Sequence, residues 1–161
     1  MDDLFPPRTH EQMDLDRVWD LGDALADRLD EGGEAVTPSL LSEVARAQGA
    51  GLEEIYVAAG LDPDAQWKRA HEVAFVVCTG SCQAWGAVDA LRALLEERRV
   101  REAAGRPSFD ILTTACLDVC LPQPPYVVSH GPLGKAVHPG ATGELLLEAV
   151  IARVDGDEGS E

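Results

Sequence analysis

The chain has 161 residues, enough for one ordinary domain with a small satellite and a sizeable core. Lysine and arginine number 13 against 29 aspartates and glutamates, a formal net charge of −16. That balance argues against a nucleic-acid partner, because little could neutralise a phosphate backbone, and no stretch approaches the roughly 18 to 20 apolar residues of a membrane helix.

Residues 1–35 hold 11 acids and 3 bases, while the tail 155–161 holds 4 acids and no base. The plain reading is solubility and a frayed tail; the sharper one is a partner with a basic face. The opening stretch "MDDLFPPRTHEQMD" is acidic and has no apolar signal core. The chain is therefore expected to be soluble and cytoplasmic.

Residues 1–11 read as a disordered N-terminus, with Pro6-Pro7 and no pattern. A helix is expected from about His10 to Asp30. Val18, Leu21, Leu25 and Leu29 recur at helical steps, and Asp16, Asp20, Asp23, Asp27 and Asp30 take the wet side. Thr37-Pro38 is a second helix start, with Thr37 capping and Pro38 at the first helical position. Leu40, Leu41, Val44 and Ala47 form its apolar side, and Gly49 stops it. A shorter helix carries Leu52, Ile55, Tyr56 and Ala59 and closes at Gly60. Residues 12–60 thus read as a helical bundle and 61–71 as a linker, with Trp67 a packing anchor.

The pattern changes at residue 72. "EVAFVVC" has the continuous apolar run of a strand buried on both faces. "QAWGAVDALRALLEERR" follows as a helix with Ala84, Val88, Leu91 and Leu95 on one face, and "RPSFDILTTAC" is a second strand. "PYVVSHGPLGKAVH" reads as a hairpin turning at Gly131 to Gly134. "ATGELLLEAVIARV" closes the domain as a helix capped by Thr142. The fold class is α/β, with the order β-α-β-β-β-α over residues 72–154 and an acidic tail at 155–161. The first two strands, joined by a helical crossover, are expected to be parallel neighbours.

Parallel neighbours end at the same edge of a sheet, where open α/β sheets bind ligands. Cys78 ends the first strand and Cys116 the second; Cys82 and Cys120 each follow after three intervening residues. Four thiols in a reducing compartment point to metal or redox chemistry before structural disulfides. A four-cysteine zinc site accepts pairs two to four residues apart, and a 2Fe–2S cluster also takes four thiolates. A dithiol redox site typically has two intervening residues, so the spacing disfavours it and leaves zinc and iron–sulfur both open. The remaining reading, four core cysteines, has to explain matched pairs at strand ends. His10, His71, His130 and His138 are scattered, with no serine and carboxylate in a recognisable triad order. No glycine fingerprint opens a helix after the first strand, so no dinucleotide site is visible.

"VCTGSCQAWGA", "TTACLDVCLPQPPYVV" and "GKAVHP" together resemble the thioredoxin-like 2Fe–2S subunit of NADH:quinone oxidoreductase. The same family includes the γ subunit of NAD-dependent formate dehydrogenases and the diaphorase subunit of bidirectional hydrogenases. The resemblance spans nearly the whole chain, since that family also begins with a small helical bundle. It implies a thioredoxin-like domain with a mixed sheet, and a 2Fe–2S cluster on Cys78, Cys82, Cys116 and Cys120. Gly86 and Pro124 fall on the family's glycine and proline, each four residues past a ligand. The chain departs from the family in its first pair, which has three intervening residues where four are usual. Asp118 stands where a glycine is common, and the stretch after the third helix lacks the family's aromatic-rich run.

The implied role is a non-catalytic electron-transfer subunit beside a flavin- and NAD(H)-binding oxidoreductase subunit, with further iron–sulfur or catalytic subunits and no direct membrane insertion. The alternative is a zinc-bound or metal-free interaction subunit that keeps the fold without the redox role. On either reading the helical region 12–60 is expected to dock on a partner or, failing that, to cover the sheet.

Overall fold

The structure is a computed structural model, and it describes residues 10–32, 35–62, 65–116, 124–141 and 143–155. Three helices come first: α1 (Leu15–Gly32), α2 (Pro38–Gln48) and α3 (Leu52–Gly60). Strand β1 (Ala74–Cys78) leads through a 3-10 turn (Ser81–Trp85) into α4 (Ala87–Ala103). Strands β2 (Asp110–Thr114), β3 (Val127–His130) and β4 (Ala136–His138) follow, then α5 (Gly143–Val150), whose last turn widens over Ile151–Asp155. The described residues therefore form a mixed α/β fold with five α-helices and a four-stranded mixed sheet. None of the described helices is long and apolar enough to cross a membrane.

Local chemistry sets several of these boundaries. Thr37 accepts from the Leu40 amide at 3.1 Å, and Gly49 closes α2 in the left-handed region at φ 63°. The first helix begins at Leu15, later than the expected start near His10, because the Asp14 carboxylate accepts from the Asp16 amide at 3.0 Å. That side chain ends the preceding extended segment and starts the helix. The crossover also differs from the sequence expectation. Gly86, at φ 103°, separates the 3-10 turn from α4, so Ala84 and Val88 do not share one helix. The buried face of α4 is instead Ala87, Ala90, Leu91, Leu94, Leu95, Arg98 and Arg101, with Val88 half-buried.

The sheet order is β2-β1-β3-β4. Strands β1 and β2 run parallel, with Cys78 beside Thr114, while β3 is antiparallel to both β1 and β4. One continuous apolar core joins Leu21, Leu41, Val44 and Ile55 of the helices to Phe75, Val77, Leu91, Leu94 and Leu146. Phe75 meets Phe109 edge-on, with ring centres 5.3 Å apart.

The segment between the bundle and β1 is fixed at several points. Val36 bridges to Trp67 in parallel, and Trp67 lies 6.0 Å from the Tyr56 ring. Asp110 accepts from the Arg69 guanidinium at 2.9 Å and from the amides of Ala70 and His71 at 2.9 and 3.0 Å. Asp155, assigned by sequence to the acidic tail, forms a two-point pair with fully buried Arg101 at 2.7 and 2.9 Å.

Candidate metal centre

Cys78 is the last residue of β1, and both of its neighbours in the sheet hold it. Its amide donates to the Tyr126 carbonyl at 3.2 Å, on the approach to β3. Its thiol donates to the Ala115 carbonyl at 3.7 Å, just past the end of β2. The next residue, Thr79, continues the parallel ladder by donating its amide to the Thr114 carbonyl at 2.8 Å. So the segments that leave β2 and enter β3 both run against the end of β1.

The chain then turns back at Gly80. A Cβ there would stand 2.1 Å from the Ala115 carbonyl oxygen, far inside contact distance. Only the missing side chain lets the loop after β1 approach the loop after β2 this closely. The 3-10 turn that follows carries Cys82 back toward Cys78. Both cysteines are buried, at 5% and 8% exposure, and Cys78 is near enough to Cys82 to raise its pKa. Cys116 follows β2 at the same edge and is exposed. Cys78, Cys82 and Cys116 are thiols and form no disulfide.

Gln83 pins this loop from two sides. Its amide nitrogen donates to the Thr79 carbonyl at 2.6 Å, and its carbonyl accepts from the Met13 amide at 2.7 Å. His10 donates its amide to the Ala84 carbonyl at 3.1 Å, reaches Asp89 at 3.1 Å and covers Gly86. The segment His10–Met13 thus lies along the cysteine loop. Sequence reasoning missed this, reading residues 1–11 as a disordered N-terminus; the neighbour of His10 here is Gly86, where a Cβ would meet the imidazole at 3.2 Å.

The electrostatics follow from the crowding. The Cys82 thiol is pushed well above the ordinary thiol range, first by its hydrogen bond to Cys78 and then by burial. Negative charge on Cys78 or Cys116 would raise it further, while the Tyr126 main chain opposes the shift. A buried thiol whose pKa is raised keeps its proton unless a cation replaces it, and Cys82 would have to lose its proton to bind a metal.

The sequence-predicted ligands are therefore partly assembled. Cys78 and Cys82 are together, and Cys116 lies at the same edge. Among the described residues no three His, Cys, Asp or Glu side chains group closely enough to hold a metal ion. Cys120 and Asp118 lie outside the described residues, as does the expected cap Thr142. The donors are sulfur, two are shielded from water, and Gly80 brings the two cysteine-bearing loops together, a set compatible with a 2Fe–2S cluster and equally with a thiolate-bound zinc ion. His138 belongs elsewhere, hydrogen-bonded to Ser129 at 2.9 Å behind the sheet residue Phe75. No protein-family model matches the chain, and no curated protein matches it.

Proposed function

We propose that the chain is an electron-transfer subunit that carries a 2Fe–2S cluster beside a flavin- and NAD(H)-binding partner subunit. The observation that carries this reading is the meeting of the loops after the parallel strands β1 and β2, where Gly80 packs on the Ala115 carbonyl and brings buried Cys78 and Cys82 to the same edge as Cys116. Cys78, Cys82, Cys116 and Cys120 would hold the cluster, which supplies one-electron transfer when bound. The polypeptide's part is to position and shield. Gly80 permits the close approach of the loops, Gln83 and Met13 fix the first loop, and burial of Cys78 and Cys82 keeps water from their sulfurs.

The same reading takes the domain as thioredoxin-like. In its support, residues 72–155 run β-α-β-β-β-α, with a parallel β1–β2 pair joined by α4 and an antiparallel β3–β4 hairpin closed by α5. The role needs no substrate pocket on this chain, since substrate chemistry would take place on partner subunits.

The test is to purify the chain with its native partners, identify them, and assay iron, acid-labile sulfide and zinc. A red-brown protein with iron and sulfide in equal amounts, and an EPR signal on reduction, is the expected result. A colourless protein with one zinc per chain, or one that takes up no iron under anaerobic reconstitution, would overturn it in favour of an interaction subunit.

A further inference from the structure

Helices α1 and α3 leave a groove of about 280 Å³ that opens over the bundle's apolar core. Leu25 and Leu29 of α1 and Ala58 and Leu61 at the end of α3 line it. Trp19 stands at its rim, 55% exposed, which is unusual for so large an apolar side chain. Gly22 lies in the groove wall, and a Cβ there would meet nothing within 4 Å. Glycine inside a helix costs stability relative to alanine. Here it keeps the groove open.

The rim is acidic. Asp23 of α1 lines the groove, and Asp20 and Asp27, one helical turn to either side of it and outside the lining, are exposed on α1. The two arginines of α1 do not neutralise them, because Arg17 binds Glu54 and the Gly49 carbonyl while Arg28 binds Glu43. A second copy of this chain would bring the same acidic rim and a net charge of −16, so like charges oppose self-association here.

We propose that this groove is a docking site for a basic amphipathic helix of a partner protein. Its apolar residues fill the space beside Gly22 and pack on Trp19, and its lysines or arginines face Asp23 at the groove and its α1 neighbours Asp20 and Asp27. Helix-in-groove recognition uses this division between apolar anchors and charged flanks. The assignment does not depend on what the cysteines hold.

The experiment uses the full chain and a synthetic leucine–lysine peptide in helical register, with two controls: a scrambled peptide and a leucine–glutamate peptide. Binding is read by the fluorescence change that Trp19→Phe removes. The basic amphipathic peptide alone should bind, and more weakly as salt rises. Gly22→Leu should fill the groove, keep the melting temperature at or above the parent's, and weaken binding at least about tenfold, the effect of losing one good apolar contact. Asp20→Asn with Asp23→Asn should weaken binding and flatten its salt dependence while leaving the fold intact. Equal binding of the scrambled peptide, unchanged binding to the Gly22→Leu chain, or concentration-dependent dimerisation lost on Gly22→Leu would each overturn the proposal.

Discussion

The hydroxyl of Thr113, in the middle of β2, donates to the main-chain carbonyl of Tyr56 inside α3. The helix lies directly on the strand: a Cβ on Gly60 would stand 2.6 Å from the Thr113 hydroxyl and 2.8 Å from its carbonyl carbon. The Tyr56 ring meets Trp67, and its own hydroxyl accepts from Arg98 of α4 at 2.8 Å. One residue therefore touches the sheet, the crossover helix and the segment before β1. This contact pattern favours helices that cover the sheet over a bundle that can be removed. A fragment beginning at Trp67 is expected to lose cooperative thermal unfolding, because it discards Leu41, Val44, Ile55 and Tyr56 from a shared core. A fragment that melted cooperatively near the temperature of the full chain would count against this. Gly60→Ala should destabilise the full chain by roughly 1 to 3 kcal/mol, the usual range for overpacking a tight contact.

Gly80 allows a test of the site that leaves its ligands untouched. Any side chain at this position collides with the Ala115 carbonyl, so Gly80→Ala must push apart the loops after β1 and β2. The Cys78 thiol would lose its contact with that carbonyl, and the spacing between the cysteine loops would grow. Cluster yield after anaerobic reconstitution should fall several-fold while far-ultraviolet circular dichroism stays close to that of the parent. Full colour in the Gly80→Ala protein would mean that the close approach does not matter to the site.

Much of this was readable from local signals. Thr37, Pro38 and Gly49 announce α2 because capping and left-handed glycine act within a few residues. The apolar run "VAFVV" announces β1, and the parallel rule brings Cys78 and Cys116 to one edge. The start of α1 was placed too early, near His10, although its apolar pattern begins only at Val18; the Asp14 cap decides the boundary. The break at Gly86 was missed for a similar reason: an apolar residue at Ala84 fits the helix pattern, but a backbone at positive φ does not continue a helix. Contacts between distant residues had no local signature. Arg101 and Asp155 are 54 positions apart, and nothing near either one announces the other.

That distant pair should carry measurable stability. Arg101 is fully buried and donates to Asp155 twice, to Glu97 at 2.7 Å and to the Pro107 carbonyl at 3.0 Å. The guanidinium holds the Asp155 carboxyl below its ordinary value, chiefly by hydrogen bonding. A depressed carboxyl contributes stability above its unfolded pKa and loses it as pH falls through the folded one. Asp155→Ala leaves a buried cation with half its partners and should cost about 2 to 3 kcal/mol at neutral pH. The difference from the parent should shrink below about pH 4, near the ordinary carboxyl range. Denaturant unfolding at pH 7 and pH 3 checks both points; an equal loss at the two pH values would show that the charge is not what matters.

His138 gives the opposite end of the pH profile. Burial pushes its pKa below the ordinary 6.5, and nearby Arg153 adds to the shift. The folded state therefore prefers neutral imidazole, which stacks near Phe75 and bonds to buried Ser129. For a histidine held low, the unfolded chain binds the proton first, so its contribution is complete above about pH 6.5 and declines as pH falls below it. His138→Gln should remove that slope while keeping a polar partner for Ser129. Chemical denaturation at half-unit steps from pH 7.5 to 5 would show it. An identical slope in the mutant would assign the pH dependence to other groups.

The cysteines should separate into structural and purely ligating members when the cluster-free protein is compared with the loaded one. Cys78 and Cys82 are core residues as well as candidate ligands, and Cys116 is exposed. Truncating a buried cysteine removes packed volume and the sulfur contact, and by analogy with small core deletions this costs roughly 1 kcal/mol. Cys78→Ala and Cys82→Ala should therefore lower the melting temperature of the cluster-free chain, whereas Cys116→Ala should not. Under the proposed cluster assignment the distinction would disappear in the loaded protein, because three thiolates would leave one iron open to water. Cys78→Ala, Cys82→Ala, Cys116→Ala and Cys120→Ala should then all bleach the chain or sharply reduce cluster yield. Cys116→Ala is the decisive variant. If it keeps the absorption and the reduced-state EPR signal, Cys116 is not a ligand and the two loops do not share one centre. If it bleaches with an unchanged cluster-free melt, the loss belongs to ligation and not to folding.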